Sequence, residues 1–341
     1  MPSKTAVVIC PGRGSYLKEN LGTLKHRSSR VDSFVSQMDQ LRSAMGLPTI
    51  TDLDAAGKYE VNLHTKGEHA STLIQTCGIA DFLEVDQDEY EIVAVTGNSM
   101  GWYTALGCAG ALDPEANFEL VQTMGSMMRD GLVGGQVLYP LVDSDTWKLD
   151  ASKQKHVDEV LAKAAGDSEI EIYRSIHLGG FLVFGANNKG VRFLLKELMP
   201  LDQGRFPMKL VNHGAFHTPL MHDISRKGSS LIDSDSFSAP VLPLIDGRGC
   251  IWQPYSTDAE QLWRYTLGSQ VTEVYDFTLA VSVAIKEFSP SHLILLGPGA
   301  NLGGTIGQVI SSLGWRGITN KEEFRIRQQQ DPVLLTAGVS D

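Results

Sequence analysis

Apolar and polar positions along the chain follow two rhythms. Short apolar runs bounded by glycine, proline or polar clusters predict buried strands, and stripes recurring every three to four residues predict helices. Thr5 to Cys10 is a strand of the first kind, closed by the loop Pro11-Gly12-Arg13-Gly14-Ser15. Val31, Phe34, Val35, Met38, Leu41 and Met45 make a helical stripe, and Glu68 to Leu83 turns Leu73, Ile74, Cys77 and Ala80 inward. Glu91 to Thr96 predicts a second strand. Pro114 to Asp130 predicts a helix capped by Asp113, with Pro114 at its first position.

Between Val133 and Leu210 the rhythm changes. Gln136 to Val142 reads as a strand and Lys153 to Ala165 as a helix. Glu169 to Ile176 and Phe181 to Ala186 read as a strand pair joined through Gly179-Gly180. Val191 to Met199 follows as a helix and Phe206 to Val211 as a closing strand. The order βαββαβ is that of a ferredoxin-like unit, self-contained enough to be an insertion. Beyond it, Thr218 to Ser230, Tyr265 to Val274 and Phe277 to Phe288 read as helices. His292 to Leu296 is a strand running into Gly297-Pro298-Gly299. The polar tail from Asn320, with Gln328-Gln329-Gln330, predicts a loosely attached end.

Composition narrows the classes. The 341 residues can bury one large core, or a large core and a satellite. A hydrophobic share of 42% with 20% charged residues is ordinary for a soluble protein, and no apolar stretch approaches a membrane span of about 20 residues. Met1-Pro2-Ser3-Lys4 leads straight into the first strand, without a signal-peptide core, so a cytoplasmic location is expected. Cys10, Cys77, Cys108 and Cys250 are widely spaced, which fits reduced thiols rather than structural zinc. A net charge of −11 argues against nucleic-acid binding.

The chemistry centres on Gly97-Asn98-Ser99-Met100-Gly101. Alone, Gly-x-Ser-x-Gly recurs by chance; between a strand and the helix beginning at Trp102-Tyr103-Thr104 it has the layout of a nucleophile elbow. The glycines allow a sharp turn, the serine hydroxyl stands exposed, and the helix N-terminus offers N–H groups to a developing oxyanion. A serine nucleophile needs a base. His217, in the Gly- and Pro-bounded loop Asn212 to Met221, stands at a strand end where catalytic groups tend to sit; a capping or core histidine fits the position equally well. His213, His217 and His222 are poor zinc ligands because Gly214 and Pro219 break any helix aligning them.

Four segments then occur in order: Pro11 to Ser15, Gly97 to Leu106, Ala215-Phe216-His217-Thr218-Pro219-Leu220-Met221, and Leu296-Gly297-Pro298-Gly299. Together they resemble the malonyl-CoA:acyl carrier protein transacylases and the acyltransferase domains of fatty-acid and polyketide synthases, from residue 5 to about 312. The resemblance implies an α/β-hydrolase-like catalytic domain of residues 1–131 and 212–341, with the ferredoxin-like subdomain at 132–211. It implies an ester on Ser99, His217 as general base, oxyanion donors in the backbone N–H groups of Met100 and Arg13, and a carbonyl of Gln270 orienting the histidine in place of an aspartate. Acyl-CoA and the phosphopantetheine arm of an acyl carrier protein are the implied partners. No cofactor or metal is implied, and a monomer is expected.

The chain departs from this family at telling positions. Malonyl-specific members carry an arginine on the helix after the elbow, and Met124 aligns there. A buried carboxylate without its guanidinium loses about 3 to 5 kcal/mol, enough to erase a malonyl preference. Arg129, five residues on, points elsewhere on a helix, whereas Arg13 stands where the family has glutamine and could compensate. Asn98 and Trp102 replace the family's His and Glu, and the family's active-site Asn falls at about His177. Met124, Trp102, Asn98, His177 and Phe216 are therefore the expected acyl pocket, apolar in its Met and aromatic members. Three readings stay open: transfer of a neutral acyl group, hydrolysis of acyl carriers, and strict malonyl transfer through Arg13. Lys18, Lys25, Arg27 and Arg30, or Arg205, Lys209, Arg226 and Lys227, are candidate carrier-docking clusters.

Overall fold

The computed structural model describes residues 4–127 and 133–337. Arg129, the end of the expected helix at Asp130, and the first three residues lie outside the described residues. Strands β1 (Lys4–Cys10) and β2 (Tyr90–Gly97) form the middle of a six-stranded sheet. It continues outward through β7 (Leu244–Ile245) and β8 (Ile251–Trp252) on one side, and β10 (His292–Leu295) and β11 (Leu334–Thr336) on the other. All pairings are parallel except β7 with β8. The central strands are buried on both faces, which is why they read as continuous Val/Ile/Ala runs rather than alternating ones.

The second sheet has the order β6-β3-β5-β4-β9. Its antiparallel strands are β3 (Gly135–Pro140), β4 (Ile172–Leu178), β5 (Phe181–Ala186) and β6 (Met208–Lys209). Helices α7 (Ala151–Ala164) and α8 (Asn188–Glu197) supply Val157, Val160, Val191 and Leu194 to a core of its own. This is the βαββαβ arrangement expected for the insertion. The fifth strand, β9 (Tyr275–Asp276), lies outside the expected 132–211 segment and pairs in parallel with β4.

Helices α1 (Ser29–Ala44), α2 (Ile50–Asp54), α3 (Val61–His64) and α4 (Gly67–Leu83) fill the span between β1 and β2. After the elbow come α5 (Gly101–Cys108) and α6 (Pro114–Ser126). α4 and α6 cross at two glycines: a Cβ on Gly67 would lie 2.4 Å from the Gly125 carbonyl oxygen, and one on Gly125 2.6 Å from that of Gly67. That close approach locks the two helices together one residue from Met124.

Several expectations need correction. The stretch read as one helix from Tyr265 to Val274 is two, α10 (Ala259–Leu267) and α11 (Ser269–Thr272), broken at Gly268. Thr218 to Ser230 begins as a 3-10 turn at Pro219–Met221, and only then becomes α9 (His222–Leu231). α12 (Phe277–Phe288) and α13 (Gly303–Leu313) flank β10. The tail is docked rather than loose. α14 (Lys321–Gln330) buries no residue fully, but the Gln328 side chain grips the backbone of Val333 and Leu334, and β11 adds a parallel edge to β10. Backbone pairing and the buried side chains of Val333 and Leu334 hold it. No described helix is long and apolar enough to cross a membrane.

Candidate active site

The elbow is built from glycines that tolerate no Cβ. One on Gly97 would sit 2.2 Å from the Gly101 carbonyl oxygen, and one on Gly101 2.2 Å from that of Cys10. The first loop packs equally close, since a Cβ on Gly12 would lie 2.6 Å from the Asn98 carbonyl oxygen. Between these contacts Ser99 takes φ +56°, the strained left-handed conformation of an elbow serine, and its hydroxyl is half-buried. Among the described residues, neither the Met100 nor the Arg13 backbone N–H is taken by a backbone acceptor.

His217 arrives from the loop after the second sheet, also left-handed at φ +58°. Its Nε2 lies 2.7 Å from Ser99 Oγ, and its Nδ1 lies 2.5 Å from the Gln270 carbonyl oxygen. A carbonyl only accepts, so the Nδ1 carries the proton and Nε2 is left to accept the serine hydroxyl. Gln270 also donates from Nε2 to the Ser99 carbonyl oxygen, 3.0 Å away, and accepts from the Tyr103 hydroxyl. Tyr275, which sequence reading missed, places its ring 5.2 Å from the His217 ring and donates to the Gly97 carbonyl oxygen at 2.6 Å. Its strand, β9, has two residues and hence no periodicity to detect.

Burial pushes the His217 imidazole down to about 4, against the opposing pull of the Gln270 carbonyl. The neutral form that can accept a proton therefore dominates above about pH 4 and is lost as pH falls through it. The acylation rate constant should be flat from neutrality down to mildly acidic pH and fall near pH 4, read from the burst of single-turnover reactions. A fall centred near the ordinary histidine value would contradict this. His213 is also held neutral, pushed down to about 3 by burial and the Arg13 charge, but its Nδ1 engages the Val211 carbonyl.

The expected acyl-pocket residues divide. Asn98 and Phe216 lie at the site: Asn98 packs against Gly12, and the Phe216 ring is 6.3 Å from that of His217. Met124 is buried with its sulfur against Gly228. Trp102 does not line a pocket; its fully buried indole donates to Thr266 Oγ1 and meets Tyr265 edge-on, in the core behind the elbow. His177 is likewise misplaced. β4 bulges between Arg174 and Ile176, so Ser175 turns inward to the Phe216 carbonyl. His177 instead faces Asp276, at 3.2 Å, in a separate cavity with Arg174 and Phe181.

Arg13 reaches across the loop, donating from Nη2 to the carbonyls of Thr65 (3.0 Å) and Asn212 (2.7 Å). Its Nε has no partner among the described residues, and burial lowers its pKa to about 10, leaving it charged at neutral pH. In the basic clusters, Arg27 pairs with Asp81 and Glu84, Arg205 with Asp202 and Arg226 with Asp223.

No family model matches the chain. It is 23% identical over 304 residues to the polyketide biosynthesis malonyl CoA-acyl carrier protein transacylase PksC of Bacillus subtilis, covering 88% of this chain and 96% of that protein. The malonyl CoA-acyl carrier protein transacylase of the same organism is 23% identical over 233 residues, 68% of this chain and 69% of that protein. The crystal structure of Synechocystis malonyl-CoA:ACP transacylase superposes with a TM-score of 0.73 at 17% identity, covering 98% of this chain and 97% of that one. A malonyl-transacylase solved in complex with a type II polyketide acyl-carrier protein gives 0.71 at 19% identity, covering 90% and 93%. The chain thus shares its α/β frame, across nearly its whole length, with proteins named as transacylases. Its likeness is to the malonyl-CoA:acyl carrier protein transacylases.

Proposed function

We propose that the protein moves an acyl group from coenzyme A to the phosphopantetheine thiol of an acyl carrier protein through an ester on Ser99. The observation that carries this is the chain of contacts from Ser99 Oγ to His217 Nε2 and from His217 Nδ1 to the Gln270 carbonyl. Ser99 Oγ attacks the thioester carbon as its proton passes to Nε2. The N–H groups of Met100 and Arg13 receive the oxyanion, each worth about 3 to 4 kcal/mol in the transition state. The C–S bond breaks and the departing thiolate takes the proton from His217. The carrier's thiol then enters by the same steps in reverse. With the arginines of the cluster near His217 neutralised by neighbouring aspartates, Lys209 and Lys227 are its cations available to an acidic carrier.

The acyl group favoured in this reading is neutral. Met124 offers a carboxylate no donor, and the two Nη2 contacts of Arg13 go to backbone carbonyls. Intact-mass detection of acyl-enzyme after malonyl-, acetyl- and longer acyl-CoA tests the preference. A chase with carrier or buffer separates transfer from hydrolysis. The expected adduct is acetyl or longer, discharging to carrier; decay equally fast in buffer would favour the hydrolase. Malonyl loading by the unaltered enzyme would point to Arg13, whose unpartnered Nε is then the donor to examine. Met124→Arg is expected to raise malonyl relative to acetyl loading roughly 10- to 100-fold.

A further inference from the structure

The loop bearing His217 is clasped by the second sheet from both sides. The Phe216 carbonyl oxygen accepts from Ser175 Oγ at 2.8 Å and from Gln136 Nε2 at 3.4 Å. Gln136 Nε2 also donates to Ser175 Oγ, 2.8 Å away. On the far side of the base, Thr218 Oγ1 donates to the Ala215 carbonyl at 2.6 Å. The Thr218 methyl lies over Gly185 of β5, where a Cβ would approach it to 2.5 Å. Ser175 and Gln136 are both buried, in a region otherwise filled by Ile176, Val183 and Ala215.

Two buried polar side chains in such surroundings carry a desolvation penalty unless they satisfy each other and a third group. The third group here is the carbonyl preceding the base. Ser175 reaches it only because β4 bulges at that residue: Arg174 pairs with Phe184 and Ile176 with Val183, leaving Ser175 unpaired. A left-handed non-glycine residue such as His217 costs about 1 to 3 kcal/mol and persists only where its surroundings over-determine it. Val271, whose carbonyl accepts from the His217 N–H at 2.8 Å, and Gln270 restrain it from the large sheet's side. From the other side, the Phe216 carbonyl is the point of restraint.

We propose that Gln136 and Ser175 are positioning residues, which fix the Phe216 carbonyl and thereby hold His217 Nε2 in line with Ser99 Oγ. The inference rests on the reading of Ser99 and His217 as nucleophile and base. It assigns the inserted unit a part in aiming the base, beyond walling the cleft.

Single-turnover acylation by acetyl-CoA, or by whichever acyl-CoA loads the unaltered enzyme, tests it with Ser175→Ala, Gln136→Leu and the double variant. Rates are normalised to the active serine titrated with a fluorophosphonate, and melting temperatures are recorded alongside. Each single variant should slow acylation about 10-fold, since small misplacements of a catalytic group are amplified in rate. KM for the acyl-CoA should stay within about twofold, as neither side chain is assigned to bind it. The double variant should be no slower than the worse single, because both act through one carbonyl. Unchanged rates, losses that follow the titre or the melting temperature, or effects that multiply would each overturn the proposal. Ser175→Ala, which removes a single oxygen, decides the matter if Gln136→Leu does not fold. An unaltered enzyme that loads no acyl group on Ser99 would instead sink the reading of the site itself.

Discussion

Ser99→Ala leaves no acyl-enzyme detectable by intact mass, and carrier acylation falls by at least about 10⁴-fold. The expectation follows from the short contact of Ser99 Oγ with His217 Nε2 and from the absence of another described hydroxyl on that imidazole. His217→Ala should cost a comparable factor, because an unactivated serine hydroxyl is a weak nucleophile at neutral pH. The two losses should not multiply: once either partner is gone, the other has nothing to act on, and the double variant should match the worse single. Residual rate should come from the oxyanion donors alone, which both variants keep. Carrier acylation followed by mass, with enzyme in excess over acyl-CoA, measures all three. An adduct surviving in Ser99→Ala would place the nucleophile elsewhere and undo the assignment.

Gly101→Ala is expected to be among the most damaging single-methyl changes at the described glycines. The added Cβ would stand 2.2 Å from the Cys10 carbonyl oxygen and 2.8 Å from that of Pro11. Both obstacles are backbone, one ending β1 and the other opening the loop that carries Arg13, so no side chain can swing aside. α5 would have to lift away from β1, opening the core around Ile9, Val95 and Leu106, all fully buried. Overpacking against fixed backbone exceeds the usual penalty of about 1 to 3 kcal/mol, and a loss above about 4 kcal/mol, or no folded protein, is expected. Gly304→Ala serves as the control. It lies in helix α13 with nothing within 4 Å of the added methyl, and should be neutral or stabilising by up to about 1 kcal/mol. Urea unfolding of both variants makes the comparison; equal stabilities would contradict it.

What could be read from the chain beforehand was what local chemistry imposes. Phe181–Ala186 and Phe277–Phe288 carry their periodicity up to their ends, and the structure gives them those bounds. Asp113 caps α6 through the Ala116 N–H, as its place before Pro114 suggests. The elbow was readable because glycine, serine and glycine must fall at fixed spacing for the turn to exist. Features set by distant partners were not. Strands β7, β8 and β9 are two residues long and owe their existence to neighbours, and β11 is a three-residue edge strand beyond a polar helix. His177 and Ser175 illustrate the same limit at the site. Alternation along a regular strand would put them on one face, and the bulge, invisible in the residues, separates them. Trp102 beside the nucleophile looked like a pocket residue, yet its direction is set by Thr266, more than 160 positions away.

The parallel pairing of Ile176 with Tyr275 and His177 with Asp276 bears on how such an enzyme can be rebuilt. A graft that exchanges only the stretch from β3 to β6 would sever the second sheet from its outermost strand. It would also pair a foreign β4 with the segment whose tyrosine ring lies against the His217 imidazole. The heritable unit for recombination is thus discontinuous: the inserted stretch together with the few residues around Tyr275 and Asp276. Chimeras cut to respect that pairing should keep their chemistry, while those cut at the insertion's apparent ends inherit a mismatched seam beside His217.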